Sequence, residues 1–257
     1  MLVAWVSHQW PDAEPRRRGP GLLSGRHAGG AEMTTDEMLT QRPEDVELLL
    51  LDSRGDLGRA AEADVVVVAA TELLPDGVLP ALAELRPVVW MRSPQRPAVR
   101  PLVDAAGLVL WASHEMARSH GWRLDDYRVC SAPLDPTEVP RGVPKEPFAL
   151  WAARDIWHKG RDAAREWADG AGVELVELSD VPRSTVLEHM GRARWFVHLP
   201  VGFVDPCPRT VIEAEIAGCE LVVNDRVGRV PVRGADAVAE YVAGAAERFW
   251  GWVRQTA

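Results

Sequence analysis

Short apolar runs without polar alternation constrain this chain most. ELLLLD at 47–52 and VVVVAA at 65–70 offer no hydrophilic face. A strand built from such a run must be covered on both sides. Similar runs fall at 2–7, 46–52, 64–70, 87–91, 107–113 and 127–131, and again at 148–153, 173–178, 195–199 and 220–224. Between them lie stretches with helical periodicity, among them 161–168, 183–190 and 210–217. Strands that alternate with helices predict parallel sheets joined by helical crossovers.

The stretch PLDPTEVPRGVPKEP at 133–147 interrupts this alternation and predicts a domain boundary. The economical architecture is α/β, with two Rossmann-like domains and a cleft between them. The expected division is 1–140 and 141–239, with a helix at about 240–257, GAAERFWGWV, packing back on the first domain through Trp250 and Trp252. Ligands of such sheets sit at the carboxyl ends of strands, so the loops there carry the functional expectations.

Composition removes several classes. At 257 residues and 47% hydrophobic, the chain can bury a real core. No apolar run reaches the roughly 18 residues of a membrane span. The start, MLVAWVSHQW, reads as a first strand rather than a signal peptide. Cys130, Cys207 and Cys219 are odd in number and form no CxxC pair, which argues against a disulfide framework or zinc site and for a reducing cytoplasm. A net charge of -9 is not the broad basic excess of a dedicated nucleic-acid binder, although Arg16, Arg17, Arg18, Arg92, Arg96 and Arg100 form local basic patches.

Three loops carry candidate chemistry. The first leads from strand 2–7 to Gly29, Gly30, Ala31 and Glu32, where paired glycines before a helix let backbone approach a ligand. The second, RDIWHKG at 154–160, places Arg154 and Lys159 five apart, a spacing suited to clamping a diphosphate. The third, DPCPRTVIE at 205–213, sets Asp205 and Glu213 eight apart across a turn and a helix start. A helix N-terminus suits an anion, and carboxylates beside it suit hydroxyl groups. A flexible turn, a solvated charged turn and an acidic first turn of a surface helix have the same compositions. Trp10, Trp90 and Trp157 stand at loop or strand-end positions where either packing or stacking on a sugar or base is open.

Taken in order, these segments resemble a retaining glycosyltransferase of family 4, which has the GT-B fold. LVAWVSHQWP followed by GGAE resembles that family's first strand and glycine-rich loop, and WASHEM at 111–116 resembles the end of its N-domain. ALWAARDIWHKGRD resembles its Arg-x4-Lys-Gly element, and DPCPRTVIEAEIAGCELVVND its E-x7-E signature. The resemblance covers nearly the whole chain and is most specific in the C-terminal half.

The resemblance implies a UDP- or GDP-sugar donor, a hydroxyl acceptor (glycan, small molecule or modified DNA), and neither a tightly bound cofactor nor an essential metal. Arg154 and Lys159 would neutralise the donor diphosphate, Glu213 would hold the ribose, and Asp205 would meet hydroxyls of the transferred sugar. Pro208, Arg209 and Thr210 would border a phosphate, with Pro208 itself donating nothing. Gly29 and Gly30 would close on donor or acceptor, and Arg92, Ser93 and His8 would lie on the acceptor side. Two departures stand out. Asp205 replaces the family's usual Glu, and VVWMRSPQ offers Arg92 and Ser93 where the family often has His. The chain is also short for the family, which implies a large acceptor bound across an open face. Two alternatives remain: transfer to a hydroxymethylated base in DNA, and a degenerate GT-B module that binds a nucleotide sugar or glycan without turnover.

Overall fold

The computed structural model describes residues 1–7, 30–53, 57–69, 71, 74–93 and 96–257. His8 and Gly29, together with Trp10 and Arg16 to Arg18, lie outside the described residues. The elements alternate as expected from the apolar runs. They are β1 (Leu2–Ser7), α1 (Gly30–Thr40), β2 (Glu47–Asp52), β3 (Val65–Ala69), α2 (Leu79–Glu84), β4 (Val88–Met91), α3 (Arg100–Ala105), β5 (Leu108–Trp111), α4 (His114–Ser119) and β6 (Arg128–Val129). Then come β7 (Glu146–Ala152), α5 (Arg161–Ala171), β8 (Glu174–Leu178), α6 (Arg183–Arg192), β9 (Ala193–His198), α7 (Arg209–Ile216), β10 (Glu220–Val223), α8 (Ala235–Ala243) and α9 (Ala245–Arg254). No helix among the described residues is long and apolar enough to cross a membrane.

The strands form two sheets, ordered β2-β1-β3-β4-β5-β6 and β10-β9-β7-β8, and every pairing is parallel. The chain divides into two compact units. One holds residues 1–112, 120–133 and 244–257; the other holds 113–119 and 134–243. The Pro-rich stretch thus begins the second unit, and α4 counts with that unit although it follows β5. Its start is capped by Ser113, whose Oγ accepts from the backbone N–H of Met116 at 3.2 Å. The cap ends β5 at Trp111, two residues short of the run at 107–113. The expected strand at 127–131 shrinks to two residues, pairing with β5 alone as a short edge.

In the first unit, Val3, Trp5, Val65, Val67, Val88, Trp90 and Leu110 make one core with Met38 and Leu39 of α1 and Phe249, Trp250 and Val253 of α9. The Trp250 indole N–H donates to the carbonyl of Met38 at 3.0 Å, which satisfies its one polar atom inside that core. In the second unit β7 feeds two cores in strict alternation. Leu150 and Ala152 join Phe196, Leu187 of α6, Val211 and Ile212 of α7 and Val238 of α8, while Ala149 and Trp151 join Val197 and Ala164 of α5. A strand with no polar alternation is therefore covered on both faces, as its sequence required.

Candidate active site

The site is built at the carboxyl ends of β7 and β9. After β7 the chain passes through exposed Arg154 into a short 3-10 turn, Trp157–Lys159, and then Gly160. Gly160 has φ +72, and a Cβ there would lie 1.9 Å from the carbonyl oxygen of Leu199. Only glycine allows this turn to press against the chain leaving β9. The turn is pinned from below, because the Trp151 indole N–H donates to the Lys159 carbonyl at 3.2 Å.

This packing carries the Lys159 ammonium to 2.7 Å from Oδ2 of Asp205. Asp205 is itself fixed by backbone. Its N–H donates to the Arg226 carbonyl and its carbonyl accepts from the N–H of Gly228, both at 2.8 Å. The same Oδ2 lies 2.7 Å from Nε2 of His198, the last residue of β9. Nδ1 of His198 is buried with no hydrogen-bond partner. Because a carboxylate oxygen can only accept, Nε2–H of His198 donates to Asp205. Burial alone would raise the Asp205 pKa. The His198 hydrogen bond and the Lys159 charge outweigh it and hold the carboxyl down at about 2, from an ordinary 3.8.

A second buried acid stands on α7. Glu213 Oε1 accepts from Nε of Arg209, one helical turn earlier, at 3.1 Å and from Nε of Arg183 at 3.0 Å. Arg183 opens α6 and also pairs through NH1 with Glu138. Pro208 caps α7 without a side-chain cap bond, and half-buried Thr210 follows Arg209 in its first turn. The first N–H groups of a helix lack intrahelical acceptors, so this end suits an anion.

Of the residues expected from sequence, Lys159 and Asp205 therefore meet, and so do Arg209 and Glu213. Arg154 shares the Lys159 loop. Gly30 opens α1 in the first unit. There, NH1 of Arg92 donates to Thr35 Oγ1 at 2.7 Å, its guanidinium lies 4.5 Å from the Trp90 ring centroid, and half-buried Ser93 follows. His198, Arg183 and Glu138 had not been singled out as site residues. Only His198 carried a signal, as the one polar residue in the run 195–199, seven positions before Asp205. Burial pushes the Cys130 thiol up to about 12 and raises that of Cys219 as well. Neither supplies a thiolate near neutral pH. Among the described residues, no group of three or more His, Cys, Asp or Glu is placed to hold a metal ion.

No family model matches the sequence, and no curated protein does. Solved structures do match along the full length. One is AviGT4, a glycosyltransferase involved in avilamycin A biosynthesis, at 18% identity and a TM-score of 0.55, covering 99% of this chain and 94% of that one. Another is Anabaena HepE in complex with UDP and glucose, at 13% identity and a TM-score of 0.55, covering 100% and 95%. A third is an alpha-glucosyltransferase in complex with UDP-glucose and DNA containing an abasic site, at 10% identity and a TM-score of 0.50, covering 99% and 95%. The class of protein this defines is one of fold: the two parallel sheets are those of GT-B glycosyltransferases.

Proposed function

We propose that the chain is a metal-independent glycosyltransferase of the family-4-like, retaining kind, working in the cytoplasm. It moves a sugar from a nucleotide-sugar donor to a hydroxyl acceptor. The observation that carries this reading is the Lys159 ammonium, held at 2.7 Å on a buried carboxylate at the carboxyl end of a parallel sheet. HepE is bound to UDP and the alpha-glucosyltransferase to UDP-glucose, which supports a uridine nucleotide as the first donor to test.

In this reading Lys159 and Arg154 face the donor diphosphate. As the bond from the anomeric carbon to the diphosphate oxygen breaks, its electron pair leaves with the diphosphate. The two cations stabilise that growing charge. The acceptor hydroxyl attacks from the same face and passes its proton to the departing phosphate. Glu213 takes the ribose hydroxyls, and the first turn of α7, at Pro208, Arg209 and Thr210, borders a phosphate. Asp205 meets the transferred sugar and also fixes the position of Lys159. Calorimetry with UDP and UDP-glucose, followed by hydrolysis and transfer assays, tests the reading on Lys159→Ala and Glu213→Ala. Unchanged binding and turnover in both variants would sink it, and donor binding without turnover on any acceptor would mark a binding module instead.

A second reading, transfer to a base in DNA, draws on the neighbour bound to DNA. Against it, Arg96 and Arg100 are already engaged by Asp76 and Asp104 at 2.9 and 2.7 Å. Activity on a hydroxymethylated duplex that falls steeply with salt would favour DNA.

A further inference from the structure

The loops leaving β7 and β9 expose apolar surface in one place. Among the described residues five large hydrophobic side chains are exposed, and three of them, Ile156, Trp157 and Val201, lie on these two loops. Trp157 is the extreme case at 72% exposure, whereas Trp5, Trp90, Trp111, Trp151 and Trp250 are fully buried. An indole left in water forfeits the burial that stabilises its counterparts, so core packing does not account for it.

The indole is nonetheless held. Gly202, with φ +85, passes so close that a Cβ there would lie 3.0 Å from Cη2 of the Trp157 ring. The two loops are tied where the Val201 N–H donates to the His158 carbonyl at 3.0 Å. The His158 ring meets Trp157 edge-on at 5.5 Å and packs 4.5 Å from Phe203. Burial first, and then the Lys159 charge, lower the His158 pKa, so this neighbour is an uncharged ring near neutral pH. Two residues after Trp157 stands the Lys159 ammonium.

A flat, pre-set apolar face bordered by hydrogen-bonding groups matches a pyranose ring. Such a ring has an apolar face of axial C–H bonds and a rim of hydroxyls. A nucleobase also has a flat face. The ribose-side carboxylate Glu213, however, is held by Arg183 of α6, while Trp157 leans on the loop after β9. Resting on the glycosyltransferase reading, we propose that Trp157 is the stacking platform for a pyranose ring. The ring is either the hexose carried by the donor or a saccharide acceptor.

The test uses the full chain with Trp157→Ala and Trp157→Phe. Melting temperatures should stay at the wild-type value, because the side chain is exposed. Calorimetry then reads UDP, UDP-glucose and a panel of methyl glycosides. The platform predicts unchanged UDP affinity in Trp157→Ala with about a five- to tenfold loss for a sugar-bearing probe, the size of one aromatic contact. Trp157→Phe should recover part of it. Loss confined to UDP-glucose assigns the ring to the donor, and loss confined to methyl glycosides assigns it to the acceptor. An equal loss for UDP would put the base on the indole and overturn the proposal. Unchanged binding of every sugar-bearing probe would overturn it too. A wild-type chain that binds methyl glycosides through Trp157 but no nucleotide would sink the glycosyltransferase reading and leave the platform standing.

Discussion

Asp205 and Glu213 stand eight residues apart and are buried alike, at 3% and 2% exposure, but in different electrostatic company. Asp205 sits on a loop whose backbone bonds fix it, and it meets one cation and one imidazole. Glu213 sits inside a helix and meets two guanidinium groups from α6 and α7. An ammonium is a compact charge with three rotatable donors, so Lys159 can keep Asp205 and still turn N–H bonds toward a phosphate. Guanidinium groups are planar forks with fixed donor directions, and Arg183 already spans Glu213 and Glu138. The first cluster is built to present charge. The second is built to hold a carboxylate in one orientation.

The largest expected effect breaks the first cluster. In Lys159→Ala, turnover of a nucleotide sugar should fall about 10²–10³-fold, the usual cost of removing one donor to a developing anion. Steady-state kinetics with UDP-glucose checks it. Glu213→Gln keeps the shape of the second cluster and removes its charge, so the donor KM should rise while kcat moves less. A fall in kcat alone would erase the distinction between the clusters.

Stability effects come next. In Asp205→Asn the Lys159 ammonium loses its anionic partner, and denaturant unfolding should show a loss of about 3 kcal/mol. The wild type sharpens this through pH. The folded Asp205 pKa lies near 2, below the ordinary 3.8, so the folded state favours the ionised form. That contribution, about 2 kcal/mol, is complete above pH 4 and is lost as pH falls from about 4 towards 2. Asp205→Asn should flatten the stability profile in that window. The smallest effect belongs to a surface pair in the first unit. Arg100→Ala, which loses Asp104, should change stability by less than about 1 kcal/mol and leave UDP binding untouched.

Much of the fold was legible because its signals are local. Both unalternating runs became strands, but only VVVVAA is buried on both faces, as β3, whereas ELLLLD forms the edge strand β2 and is mostly half-buried. Gly160 ended its turn where backbone chemistry allowed it, while the Ser113 cap stopped β5 short of its run. The short helices α2, α3 and α4 left little periodic signal, each spanning six residues. In the site, the pairs Arg154 with Lys159 and Asp205 with Glu213 were visible as charges at strand-end spacing. Arg183 and Glu138 were not, because they reach Glu213 from 30 residues before it in sequence and through a shared salt bridge.

The sequence by itself determined two sets of parallel strands and the loops on which chemistry could sit, because strand burial and turn formation depend on neighbours a few residues apart. Only the tertiary structure decided which charges face each other. Lys159 and Asp205 are 46 residues apart and meet because Gly160 lets one strand-end turn lie against another. The tertiary structure also left Trp157 in water while five other tryptophans went into cores. Both outcomes depend on how loops from different strands pack, and no local pattern encodes that.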